Sequence, residues 1–182
     1  MAREALQDAD WDVPVRLVTD VPTGASAVTL RATPSVALPG LAGVTLTVRE
    51  IDGEQVLTDV APVGGGATPS GGAPQARSLG DVLDSLKDAG GSVPVHAAGT
   101  PFARAVLAAL AVVPAGERRT YAELAAMAGS PRAVRAAASV MARNRVPLVL
   151  PCHRIVPSGR GVGRYGWGER VKRALLDAEV AA

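Results

Sequence analysis

The pattern of the chain changes at Gly99, and this change most constrains what it can fold into. Before it, short β-type runs alternate with turn residues. The strand candidates are Val13–Val18, Ala27–Arg31, Val44–Arg49 and Gln55–Val60, separated by Pro, Gly and the Asp52-Gly53 turn. Leu79–Ala89 is the one helical stretch there, stopped by Gly90-Gly91, and the Gly/Pro-rich segment 64–78 reads as a loop. After Gly99 the apolar residues recur at helical spacing between clear start and stop signals. The expected architecture is α+β. A small β-rich scaffold subdomain spans 1–98, and a mainly α-helical domain that carries the chemistry spans 99–182.

Composition narrows the function classes. Of the 182 residues 48% are hydrophobic and only 3% aromatic, so the core must be built from Ala, Val and Leu. The longest apolar candidate, Ala105–Val113, is stopped by Pro114, too short to cross a membrane. The acidic N-terminus lacks the apolar core of a secretion signal. A single cysteine excludes an internal disulfide and a Cys-rich zinc site, so a reducing, cytoplasmic setting is expected. Charge is divided sharply: residues 1–98 hold 6 basic and 12 acidic side chains, residues 99–182 hold 13 and 5. Arg supplies 17 of the 19 basic residues, the side chain suited to forked phosphate contacts. The second half therefore reads as the surface that meets a polyanion.

Within that half, Thr100-Pro101 caps a helix whose apolar face is Phe102, Val106, Leu107, Leu110 and Val113, ended by Pro114-Ala-Gly116. Thr120-Tyr-Ala-Glu123 is a capping box opening a short helix through Met127. Ser130-Pro131 starts another helix, to about Ala142, with Arg132 and Arg135 early in it. Two short helices joined by a tight Gly-containing turn form a helix-turn-helix pattern, although helical hairpins that bind nothing share it. The run Val146–Pro151 reads as a buried strand delivering Cys152 and His153 at its end. A thiol is a nucleophile only as thiolate, with an ordinary pKa of about 8.5. His153 is the candidate base, but neighbours on an extended backbone point to opposite faces, so a bridging water or a bend is needed. Arg154 is expected to favour the thiolate. A glycine-punctuated loop follows, then an amphipathic helix over Glu169–Glu179 with Lys172 and Arg173 outward.

Pro151-Cys-His-Arg-Ile-Val156 resembles the active-site signature of the O6-alkylguanine-DNA alkyltransferases, the methylated-DNA–protein-cysteine methyltransferases. Further segments match in order from Gly99 to about Glu179: Gly99-Thr-Pro-Phe102, Pro114-Ala-Gly-Glu117, Thr120–Ala125, Gly129–Ala136, Asn144, Gly163-Arg-Tyr165, and Lys172 with Leu175–Glu179. The resemblance implies a small N-terminal ribonuclease H-like subdomain and a C-terminal helix-turn-helix domain. It implies irreversible, single-turnover transfer of an alkyl group, chiefly methyl, from a flipped O6-alkylguanine in double-stranded DNA to Cys152. His153 would take the thiol proton through a water, with Glu179 orienting the imidazole. Asn144 would tie the helix-turn-helix to the active-site segment. Tyr121 would donate to guanine N3, and Arg135 would fill the gap left in the base stack. Thr120, Ser130, Arg132, Ala136 and Ser139 would face the DNA. Val162, Gly163, Tyr165, Gly166, Trp167 and Ile155 would form the pocket. No metal or cofactor and no membrane are implied, and the protein would act as a monomer.

The sequence also departs from the family pattern. Phe102-Ala103 and Val106-Leu107 stand where Phe-Gln and Val-Trp are usual, which reads as a change of packing. Tyr165-Gly-Trp-Gly168 stands where many members have Tyr-Ser-Gly-Gly; a tryptophan there looks like the C-terminal half of the bacterial adaptive-response members, and is expected to favour methyl over benzyl adducts. Some relatives carry zinc in the first half, but no cysteine precedes Cys152 here, so His96 reads as an ordinary strand-end residue. Two rival readings are a non-catalytic, alkyltransferase-like binder of damaged DNA, against which Cys152 argues, and a cysteine hydrolase, for which no oxyanion hole is visible.

Overall fold

The computed structural model describes residues 11–22, 24–64 and 77–180. The first half builds a six-stranded mixed sheet in the order β1-β6-β4-β3-β2-β5. The strands are β1 (Val15–Val18), β2 (Ala27–Thr33), β3 (Leu41–Ile51), β4 (Glu54–Gly64), β5 (Arg77–Ser78) and β6 (Val93–His96). Its centre is the β3–β4 hairpin, longer at both ends than the sequence suggests. The hairpin turns at Asp52-Gly53, both with positive φ (51° and 81°), the conformation that a two-residue turn between twisted strands requires. On β4, Val56, Leu57 and Val60 face the core. β6, of which the sequence marks only the end residue His96, pairs in parallel with β1 and β4. Helix α1 (Leu79–Ser85) is capped by Ser78, whose side chain accepts the Asp81 N–H; it ends four residues earlier than expected. Most of the 64–78 segment lies outside the described residues.

The second half contributes α2 (Pro101–Ala111), α3 (Tyr121–Met127), α4 (Val134–Ala142) and α5 (Glu169–Val180), so the described residues form a mixed α/β fold with five α-helices. Thr100 caps α2 as its sequence predicts, accepting the Ala103 N–H. The capping box of α3 is fully formed: Thr120 Oγ1 accepts the Glu123 N–H at 3.2 Å and Glu123 Oε2 accepts the Thr120 N–H at 2.6 Å. Two expectations fail. The helix bearing Arg135 starts at Val134, not Ser130-Pro131, because residues 130–133 close a turn in which Ala133 N–H donates to Ser130 O. The apolar run 146–151 is no strand. Pro147 and Pro151 lack the N–H that a ladder needs, and Leu148 sits at φ +74°. The run instead coils into the core with all its side chains buried.

One set of buried apolar side chains runs through both halves, from Leu57 and Val95 on the sheet to Leu107, Leu124 and Leu150. The backbone joins them too, the Val60 N–H of β4 donating to Arg145 O at 2.7 Å. Among the described residues no helix is long and apolar enough to cross a membrane.

Candidate active site

Cys152 opens a 3₁₀ turn, Cys152–Arg154, immediately after the coiled apolar run. The turn supplies the bend that the Cys-His pair lacks on an extended backbone. It leads into β8 (Ile155–Val156), which pairs in parallel with β7 (Arg119–Thr120), the residues that open α3. The start of α3 and the cysteine turn are thereby held in register. Asn144, just past α4, closes the other side: its Nδ2 donates to Leu150 O at 2.9 Å and its Oδ1 accepts the Val146 N–H at 3.1 Å.

Cys152 lines a cleft of about 320 Å³ together with Tyr121, Met141, Asn144, Tyr165 and Trp167. Cys152 is half-buried, and desolvation raises the thiol pKa, while Asn144, Lys172 and Tyr165 pull it back down. Tyr165 and Trp167 meet edge to face, with ring centroids 6.1 Å apart. Burial and the neighbouring Cys152 raise the pKa values of both Tyr121 and Tyr165, so each hydroxyl keeps its proton at neutral pH.

Behind the thiol lies a buried polar cluster centred on Glu179 of α5. Oε1 accepts His153 Nε2–H at 2.9 Å, Arg154 Nη2–H at 2.8 Å and the Trp11 indole N–H at 3.2 Å. Oε2 accepts the Arg154 Nε–H at 3.2 Å and the Gly116 N–H at 3.4 Å. Gly116 is at φ +76°, and a Cβ there would stand 3.1 Å from Glu179 O. Burial by itself would raise the Glu179 carboxyl, but the hydrogen bonds from His153 and Arg154 outweigh it and hold the pKa at about 2. The carboxylate is therefore ionised, and His153 carries its proton on Nε2. Burial lowers the His153 pKa against the opposing pull of Glu179, so the ring is neutral at pH 7 and its Nδ1 lone pair has no protein partner among the described residues.

Sequence reasoning misplaced two cations here. Arg154 is turned away from the thiol: its Nη1 donates to Val113 O at 2.6 Å, and both terminal nitrogens reach Asp12 Oδ1 at 3.1–3.2 Å. Lys172, expected to point outward, is buried at 1% exposure and donates to Ile155 O at 2.5 Å. Burial lowers its pKa to about 8 while Cys152 acts to raise it, so Lys172 is the cation coupled to the thiol. Its long stem on an amphipathic helix gives no sign of this in sequence. Trp11 was likewise not assigned to the site, although it is the only aromatic residue in the first half.

The remaining candidates divide. Arg132, Arg135, Ala136 and Ser139 lie exposed on and before α4; Thr120 and Ser130 are half-buried, Thr120 being engaged in its cap. Of the expected pocket residues, Tyr165, Gly166 and Trp167 line the cleft. Val162, Gly163 and Ile155 do not: Val162 and Ile155 are buried, and Gly163 packs so closely on Pro157 that a Cβ would fall 2.8 Å from its Cδ. The cleft instead takes Ala138, Ala142, Pro147 and Arg164.

Comparison with known proteins gives this arrangement a class. Residues 101–181, the half of the chain that holds the thiol, match the DNA-binding domain of 6-O-methylguanine DNA methyltransferase. That half is 43% identical over 88 residues to the regulatory protein ada of Salmonella typhimurium, covering 48% of this chain and 25% of that protein. It is 42% identical over 89 residues to the constitutive methylated-DNA–protein-cysteine methyltransferase of Bacillus subtilis, covering 48% and 54%. The crystal structure of Mycobacterium tuberculosis OGT in complex with DNA superposes with a TM-score of 0.58 at 28% identity, over 83% of this chain and 92% of that one. Through this half, the chain is similar to the 6-O-methylguanine DNA methyltransferase family. It spans about half the length, or less, of these two curated relatives.

Proposed function

We propose that this protein repairs DNA by direct reversal, moving the alkyl group of O6-alkylguanine, chiefly methyl, onto Cys152. The observation that carries this reading is a half-buried thiol lining a cleft, backed by a neutral histidine whose proton position is fixed by an ionised carboxylate. Cys152 and His153 form no direct hydrogen bond, so the thiol proton passes to Nδ1 through a bridging water. The sulfur lone pair then attacks the O6-alkyl carbon in line. The C–O bond breaks, its electron pair goes to the purine, and Tyr121, protonated at neutral pH, donates to N3 to disperse that charge. The product is a thioether, which water does not readily reverse, so each molecule reacts once. No metal or cofactor takes part.

A stacked base offers its O6 substituent no in-line approach, so the nucleotide must leave the helix, at a cost of a few kcal/mol that is least for a damaged pair. In this reading α3 and α4 form a helix-turn-helix. Exposed Ala136 and Ser139 let its second helix approach the minor groove, Arg132 contacts phosphate, and Arg135 occupies the space of the flipped base. Residues 1–98 act as a ribonuclease H-like scaffold, a reading supported by the antiparallel β2-β3-β4 sheet with β6 parallel beside it. The protein works as a cytoplasmic monomer on double-stranded DNA. The presence of Cys152 in the cleft disfavours the alternative, a non-catalytic binder of damaged DNA.

The test is intact-protein mass spectrometry after mixing with excess duplex containing O6-methylguanine. The expected result is a gain of one methyl on the Cys152 peptide, saturating at one per protein and absent in Cys152→Ala, which still binds DNA. An unchanged mass with DNA binding intact would establish the non-catalytic reading instead.

A further inference from the structure

Trp11 lies 168 residues from Glu179 in sequence, yet its side chain is 1% exposed and its indole N–H ends on the same carboxylate oxygen that holds His153. The neighbouring Asp12 grips Arg154, a further donor on that carboxylate. Packing alone would explain a buried indole without explaining where its one polar atom points. A buried N–H needs an acceptor, and an ionised carboxylate is the strongest available. Here the acceptor is Oε1, which also takes the Nε2–H of His153.

We propose that Trp11 is a positioning residue for the Cys152 site, holding Glu179 so that His153 keeps its proton on Nε2 and presents Nδ1 as the base. A carboxylate can rotate about its terminal bond and offer either oxygen to the ring. The Arg154 guanidinium does not prevent this, because it reaches both oxygens. Gly116 N–H fixes Oε2 from one side at 3.4 Å, and Trp11 N–H fixes Oε1 from the other. Without the indole donor, Oε1 keeps only Arg154 beside the ring, its hold on Nε2–H loosens, and the competing tautomer with the proton on Nδ1 becomes accessible. That tautomer cannot accept a proton from the thiol. Asp12 reinforces the arrangement by drawing Arg154 toward the same N-terminal segment, so residue 11 holds the carboxylate and residue 12 holds one of its donors.

The inference rests on the alkyl-transfer reading for its effect on rate, but not for its effect on the histidine. The decisive variant replaces Trp11 with β-(3-benzothienyl)alanine, which puts sulfur where the N–H was and preserves shape; Trp11→Phe is its genetic counterpart. The chain has only two histidines, His96 and His153, so ring ¹⁵N shifts of histidine-labelled protein report the tautomer directly. Wild type should show His153 as the Nε2–H form, and both variants a mixture with Nδ1–H. The single-turnover rate of methyl uptake should fall about tenfold, the worth of one hydrogen bond to a charged group, with affinity for undamaged duplex unchanged. An unmixed Nε2–H tautomer and an unchanged rate in the benzothienyl protein would overturn the proposal. If Trp11→Phe does not fold, the isosteric protein decides. If wild type takes up no methyl, the alkyl-transfer reading fails, and the tautomer shift alone decides the role of Trp11.

Discussion

Replacing Glu179 by Gln keeps the size of the side chain and removes its charge from a site that is 1% exposed. The magnitude follows from the depression of its pKa. The folded value of about 2 lies well below the ordinary 4.5, and each unit is worth about 1.4 kcal/mol, so ionised Glu179 contributes about 3 kcal/mol at pH 7. Because the folded value is the lower one, this stability is fully present above pH 4.5 and is lost as the pH falls toward 2. About 2 kcal/mol of it should disappear between pH 4.5 and 2.5. His153, held neutral by burial, contributes its own acid sensitivity, and the loss of the upward pull of Glu179 lowers its pKa further in the variant. Urea unfolding should place Glu179→Gln about 3 to 5 kcal/mol below wild type at pH 7, since Arg154 is left buried with only half-exposed Asp12 as an anionic partner. The gap should narrow by about 2 kcal/mol between pH 4.5 and 2.5. Two stability curves that stay parallel over that window would show that Glu179 is not the ionised anchor of the cluster.

Two further outcomes test the DNA-facing and substrate-facing roles proposed for Arg135 and Trp167. Arg135→Ala should slow methyl uptake from duplex by about ten- to a hundredfold, the cost of leaving an unstacked gap unfilled, while uptake from the free O6-methylguanine base is unchanged; equal slowing on both substrates would remove Arg135 from the flipping step. Trp167→Gly should open the cleft and raise the ratio of benzyl to methyl transfer about tenfold, measured in competition by mass spectrometry, and an unchanged ratio would show that Trp167 does not limit the pocket.

What could be read from the sequence, and what could not, follows the range of the forces involved. The Thr100-Pro101 start and the Thr120–Glu123 capping box are local, each closed by residues three apart, and both stand as expected. The β3–β4 hairpin was visible for the same reason, through Asp52-Gly53. The strand expected over 146–151 failed because hydrophobicity marks burial without marking hydrogen bonding, and two prolines deny the run a ladder. Residues of the cleft with chemical character, Cys152, Asn144, Tyr121, Tyr165 and Trp167, were named through family resemblance. Pro147, Ala138 and Ala142 were not, since small and apolar side chains line a wall without leaving a chemical mark. Lys172, Arg154 and Trp11 were misread or missed because their partners lie 17, 25 and 168 residues away. No periodicity connects such positions; only the closed fold does.

The contact between Trp11 and Glu179 also sets a timetable. At a translation rate of about 5 to 20 residues per second, the acceptor carboxylate is made roughly 10 to 30 s after the indole that binds it. Cys152 is already in the chain by then, 27 residues ahead of Glu179. Until α5 emerges from the ribosome and docks, the thiol has a histidine beside it but no carboxylate to set that histidine's proton. On the alkyl-transfer reading, a nascent chain therefore carries its thiol in an unarmed state, and it becomes competent to spend that thiol when segments 168 residues apart meet.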